Sequence, residues 1–268
     1  MIRQKALCLP FALLGIFLAI QVSLANSDAA AQLQNLQCGQ LSPLNHPSGP
    51  SLDWSNATIV MIGSSSTAGV GADKPETAYP ARTADHLHRF FDRSSVTVHA
   101  LGVGAEQAEA AIARFEPAIT QYRPDILVWQ VGTNDALGKV DLASLQKTLA
   151  KGLAITRKHA LPLVLIDPQF FPTIRDDKHY TDSVDLIERF ATTHHLAMIH
   201  RYKRMRGALD HHDNLMRALL AGDQFHMSTL GHECLALDLA ATLYQTFKPI
   251  RQTAVCRSCG VPAKGQVK

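Results

Sequence analysis

The chain has 268 residues, of which 46% are apolar and 18% charged, with a formal net charge of +3. So small an excess of base argues against nucleic acid or an acidic surface as the main partner. The length suits one large α/β core, and the sequence carries no internal repeat and no long low-complexity segment.

In chain order, the first 25 residues read as a secretory signal: Arg3 and Lys5 start it, Ala6 to Ala19 is apolar apart from Pro10 and Gly15, and Ser23-Leu24-Ala25 offers a small-x-small cleavage site. An uncleaved anchor is the alternative, because the apolar run is near the lower limit for a membrane span. Cleavage after Ala25 removes two bases and no acid, lowering the net charge from +3 to +1 and leaving an exported, periplasmic or secreted protein with no membrane attachment. Asn26 to Asn56 is polar and rich in Ser, Asn and Pro, and reads as an exposed arm. Short apolar runs then alternate with amphipathic stretches. The runs are Thr58–Ile62, Val96–Leu101, Ile126–Val131, Leu163–Ile166 and Leu196–Ile199. Between them lie Ala78–Phe91, Glu106–Gln121, Leu142–His159 and Ser183–His194, and a last helix runs from Thr229 to Phe247. This βαβα alternation predicts a five-stranded parallel sheet with helices on both faces, in one domain over residues 57–247. The tail, residues 248–268, contains Pro, Gly and Lys.

Four cysteines follow the signal, and in an exported protein they are free to form disulfides. Cys234 sits in a helical apolar pattern and reads as a buried free thiol. Cys38 is then expected to pair with Cys256 or Cys259, tying the arm to the tail. Cys256-x-x-Cys259 follows no strand and opens no helix, so it is a poor thioredoxin-type motif, and without a second pair it is a poor zinc site.

In such sheets ligands collect at the carboxyl ends of the strands. Four of the five ends are informative: Gly63-Ser64-Ser65-Ser66-Thr67-Ala68-Gly69, Gly102-Val103-Gly104-Ala105, Gly132-Thr133-Asn134-Asp135 and Asp167-Pro168-Gln169. Phosphate binding is disfavoured. Val70 stands where a P-loop needs lysine, and Gln107 where a dinucleotide fingerprint needs a small residue. Ester chemistry needs a nucleophile, a base, a group that orients the base, and donors for an oxyanion. A serine in the Ser64-Ser65-Ser66 turn can be the nucleophile. With 13 histidines a base is easy to find, so the spacing matters more. Asp-x-x-His occurs at Asp85–His88, Asp176–His179 and Asp223–His226. The first falls mid-helix and reads as a surface pair. The other two follow strands and compete for the role of base. Asp135 reads as a turn residue, Trp129 as core, and Asp167 to Pro172 either as pocket lining or as packing under the catalytic loop. His211-His212-Asp213 looks like a metal cluster but lies on a polar helical face, so no metal or cofactor is expected.

Taken together, Gly63-Ser64-Ser65-Ser66-Thr67-Ala68-Gly69, the glycine segment after the second strand, Gly132-Thr133-Asn134-Asp135 and Asp223-x-x-His226 resemble, in order, the motifs of the SGNH (GDSL-type) hydrolases. The resemblance spans about Thr58 to Leu239. It implies a flavodoxin-like three-layer α/β/α sandwich and a serine esterase. Ser65 takes the nucleophile position, His226 that of the general base, and Asp223 that of its orienting carboxylate. The oxyanion donors it implies are the Ser65 N–H, the Asn134 side-chain amide and the Ala105 N–H, with Gly104 as the substitute for Ala105. Two residues depart from the family pattern: Ser64 replaces its aspartate and Ala105 its second glycine. Because alanine cannot take glycine-only dihedrals, a differently shaped loop is expected there. The implied substrates are small acyl esters, such as acetyl groups on carbohydrate. An O-acyltransferase using the same serine and a non-catalytic carbohydrate-binding relative are the alternatives.

Overall fold

The computed structural model describes Gln34, Cys38, Gly39 and residues 48–250, apart from 92–94, 212 and the side chains of 210, 211 and 213. The signal segment and Cys256 and Cys259 therefore lie outside the described residues, as do the side chains of His211, His212 and Asp213.

Five strands form one sheet: β1 (Thr58–Gly63), β2 (Thr97–Gly102), β3 (Ile126–Gln130), β4 (Leu163–Ile166) and β5 (Ala197–Ile199). Their order is β2-β1-β3-β4-β5 and every pairing is parallel. That is the flavodoxin-like order. Alternate residues of each strand feed two separate cores, as a two-residue period requires. Ile59, Met61, Val128 and Ile166 face one, and Val60, Ile62, Trp129 and Leu165 the other. The central strands β1, β3 and β4 are apolar on both faces because helices cover both. The edge strand β2 is only partly buried, which fits its Thr97 and His99.

The helices are α1 (Tyr79–Phe90), α2 (Ala108–Ile112), α3 (Phe115–Tyr122), α4 (Thr133–Leu137), α5 (Leu142–Lys158), α6 (Lys178–Thr193), α7 (Arg201–His211), α8 (Asp213–Leu219) and α9 (Thr229–Thr246). The single helix expected over Glu106–Gln121 is two. Pro117 lies in the first turn of α3, where its missing N–H costs nothing; further inside one long helix it would remove a backbone bond and clash with the preceding turn. Helix α6 starts five residues before the expected Ser183, because the Asp177 carboxylate accepts the Tyr180 N–H and caps it. Helix α9 is buried along nearly its whole length and packs against α1. Among the described residues, no helix is long and apolar enough to cross a membrane.

The cysteine expectation is corrected. Cys38 is bonded to Cys234, not to the tail, and Cys234 is not a free thiol. The apolar pattern around Cys234 does mark a buried helix face, but the described part of the arm returns to that face. Gly39 N–H donates to the Asp238 carboxylate (2.7 Å), and a Cβ on Gly39 would stand 3.3 Å from Leu237 Cβ. The arm is also less exposed than its composition implies. Trp54 is buried at 3% exposure, stacks on Phe91 and donates to the Phe247 carbonyl, and Gly49 N–H donates to Thr246 O. Apolar anchors at wide spacing hold this segment down despite its polar average.

Candidate active site

The turn after β1 is held from below by Gln130, the last residue of β3. Its Oε1 accepts from Ser64 N–H (2.8 Å), Ser64 Oγ (3.1 Å) and Thr67 Oγ1 (3.2 Å). Thr67 Oγ1 also meets the Tyr79 hydroxyl at 2.8 Å. Glycine is required at 63, where a Cβ would stand 2.2 Å from Thr67 Oγ1, and at 102, where it would stand 2.0 Å from Ala68 N. Ser64 and Ser66 are thereby buried, and Ser65 between them stays partly open to solvent. Ser64 is thus spent on holding the turn.

The loop before α9 supplies the second half. Asp223 Oδ1 accepts the N–H groups of Phe225 (3.0 Å) and His226 (2.9 Å), and its Oδ2 lies 2.6 Å from His226 Nδ1. The hydrogen bond from His226 is the main reason the Asp223 carboxyl lies below its ordinary range, so it stays ionised beside the ring. Gln224 makes the sharp bend with a left-handed φ of 57°. His226 Nε2 then lies 3.1 Å from Ser65 Oγ. The structure therefore brings Ser65, His226 and Asp223 into one hydrogen-bonded row. His179 is absorbed into α6, where its Nε2 is buried without a hydrogen-bond partner. In the third Asp-x-x-His, Asp85 pairs with Arg82, and His88 bonds the backbone of Val96.

The third side is made by the loop after β2 and by α4. Gly132 precedes α4 with φ 98°, so that Asn134 falls in its first turn. The Asn134 side-chain amide donates to Glu106 O at 2.9 Å. An amide nitrogen carries two hydrogens, so one fixes its orientation and the other remains for a ligand. Asp135 is buried and accepts the Ala108 N–H (3.0 Å), tying α4 to the start of α2; burial raises its pKa. Ala105 has a left-handed φ of 59°. Alanine enters this region at a cost of about 1–2 kcal/mol, so the loop carries strain here. Gly104 shows no left-handed φ, and a Cβ on it would meet nothing within 4 Å.

One residue the sequence reading passed over joins the two halves. Gly71 has φ 93°, and a Cβ on it would stand 2.1 Å from Met227 O, next to His226. The signal was available in the Gly69-x-Gly71 pair closing the serine turn. Among the described residues, no group of three or more His, Cys, Asp or Glu could hold a metal ion.

The family match and the fold place the chain among lipase- and esterase-like hydrolases. The family model for the Non-GDSL lipase-like family matches residues 49–249, and the chain belongs to that family. A search of curated proteins finds no match. Among solved structures it is similar to a lipase/acylhydrolase from Enterococcus faecalis, with 22% identity, TM-score 0.58, and 73% of this chain and 99% of that one covered. It is also similar to a psychrotrophic esterase from Pseudoalteromonas sp., with 13% identity, TM-score 0.58, and 71% and 98% covered. A third is an acetyl xylan esterase, with 19% identity, TM-score 0.59, and 68% and 97% covered. At these identities the likeness is one of fold.

Proposed function

We propose that the protein is an exported serine esterase acting on small acyl esters through an acyl-enzyme. The observation that carries this reading is the row Ser65 Oγ, His226 Nε2 (3.1 Å) and His226 Nδ1, Asp223 Oδ2 (2.6 Å). In the proposed reaction His226 takes the Ser65 proton as Oγ attacks the ester carbonyl. The Ser65 and Ala105 N–H groups and the free hydrogen of the Asn134 amide receive the oxyanion. The intermediate collapses by breaking the bond to the alcohol, which leaves with the proton from His226. Water then repeats the sequence on the acyl-Ser65, with His226 as base, and releases the acid. Asp223 holds the ring tautomer that presents Nε2 to Ser65. The acetyl xylan esterase among the similar folds supports a short acyl group on carbohydrate as the first substrate class to try. The Cys38–Cys234 disulfide supports export, since such bonds persist in oxidising compartments.

The test is fluorophosphonate labelling with peptide mapping, run beside hydrolysis of p-nitrophenyl acetate and acetylated xylan. The expected result is label on Ser65 and loss of both label and hydrolysis in Ser65→Ala. Label on another serine, or equal background rates in both proteins, overturns the reading.

A further inference from the structure

Arg201, the first residue of α7, is buried at 3% exposure beneath the strand ends. Burying a guanidinium costs several kcal/mol unless its hydrogens find acceptors. Here they do. Nε (3.1 Å) and Nη2 (2.9 Å) both donate to the Asp167 carbonyl. Nη1 donates to Ser66 Oγ at 3.2 Å, and Nη2 also reaches Thr133 Oγ1 at 3.4 Å. The planar fork of arginine can serve these three directions at once, which a lysine cannot.

Gln169 continues the same bridge. Its Oε1 accepts from Ser66 Oγ at 3.3 Å, its backbone N–H donates to Thr133 Oγ1 at 3.3 Å, and its Nε2 donates to the Phe225 carbonyl at 2.6 Å. Its own carbonyl is pinned by the Tyr180 hydroxyl at 2.6 Å. Three of the residues gripped in this way have a shared property. Ser66 follows Ser65, Thr133 precedes Asn134, and Phe225 precedes His226. Each neighbour of a proposed reacting group is thus bonded to one buried pair of side chains, while the reacting groups themselves stay free of it.

We propose that Arg201 and Gln169 are positioning residues, which together fix the separation of Ser65, Asn134 and His226 by holding the residue beside each one. This rests on the esterase reading for its kinetic consequence, but its geometric content is independent of that reading. Neither side chain donates or takes a proton in the reaction; they act through Ser66, Thr133 and Phe225. The Ser66 hydroxyl is the link between them, as it accepts from Arg201 and donates to Gln169.

The experiment uses Ser66→Ala, Gln169→Met, their double variant and Arg201→Lys, each checked for thermal stability. On p-nitrophenyl acetate, Gln169→Met and Ser66→Ala are expected to lower kcat about 10- to 30-fold with KM within about twofold. The double variant should lose less than the product of the two single effects, because both remove the Ser66–Gln169 bond. Arg201→Lys should lose kcat despite keeping its charge. In parallel, NMR follows the His226 ring resonances through a pH titration, with His226→Gln for assignment. A shifted titration of His226 in Gln169→Met supports the proposal even where no substrate is turned over. Unchanged kcat in these variants, effects that multiply independently in the double variant, or a His226 titration identical to wild type each overturn it. Wild-type protein that takes no fluorophosphonate label sinks the esterase reading instead, and leaves the NMR comparison to decide this one.

Discussion

The two loops that meet at Ser65 and His226 are built in opposite ways. The serine turn is supported from underneath by distant residues: Gln130 from β3, Tyr79 from α1 and Arg201 from α7. The histidine loop is largely self-supporting. Asp223 satisfies two backbone donors and the ring of its own four-residue segment, and half of its side chain is exposed. The proposed nucleophile thus depends on the whole sheet, whereas the proposed base depends first on local backbone geometry. A substitution on the serine side should spread into stability, and one on the histidine side should stay in catalysis.

The largest effect should come from the proposed base. His226→Ala is expected to lower kcat/KM about 10^4-fold or more, with stability little changed. His179→Ala should stay within about twofold, and the reverse pattern in steady-state rates would move the base to α6. Next is an acid limit on the serine side. Buried neutral His232 accepts the Tyr79 N–H (3.2 Å) at Nδ1 and meets Val70 O (3.1 Å) through Nε2. Burial pushes its pKa down from 6.5 to about 4. The unfolded chain therefore takes the proton first as pH falls. The stability it contributes is present above pH 6.5 and lost on the way to pH 4, about 3 kcal/mol in all. Urea unfolding at pH 7 and pH 4 should show a smaller drop in His232→Gln than in wild type.

Gly71→Ala attacks the contact between the loops. A shift of about 1 Å between Ser65 and His226 should reduce kcat about 100-fold. If the rate holds while the variant folds, the two loops are less coupled than the geometry implies. Gln130→Met leaves three donors without their acceptor and should cost about 2 kcal/mol. Asp223→Asn, on the exposed side, should cost about 0.5 kcal/mol or less. Equal costs in denaturant unfolding would erase the contrast between the loops. The smallest effect is at Ala105→Gly, which trades left-handed strain for a looser unfolded chain. It should gain about 0.5 kcal/mol and keep activity within about twofold.

The strand pattern was legible because buried parallel strands are continuously apolar, and Ile126-Leu127-Val128-Trp129 states this without ambiguity. The Asp223–His226 pair was legible only in part: its geometry is local, but the same spacing at Asp176–His179 competed with it until the resemblance singled it out. The buried bridge through Arg201 and Gln169 was not. Arg201 lies 135 residues from Ser66, and nothing in a one-dimensional pattern marks an arginine as inward-facing. The Cys38–Cys234 bond was not legible, because the apolar helical setting of Cys234 suits a free thiol and a half-cystine alike. The split of α2 from α3 turned on one proline.

The bond between Cys38 and Cys234 closes a ring 196 residues long. Ser65, Ala105, Asn134, Asp223 and His226 all lie inside it. On a chain-entropy reckoning such a closure disfavours the unfolded state by about 5 kcal/mol. A protease that cuts once anywhere between those cysteines leaves both fragments on one covalent body, with serine and histidine still tethered. A chain closed in this way can be cut once between the two cysteines without parting the two halves of its proposed site.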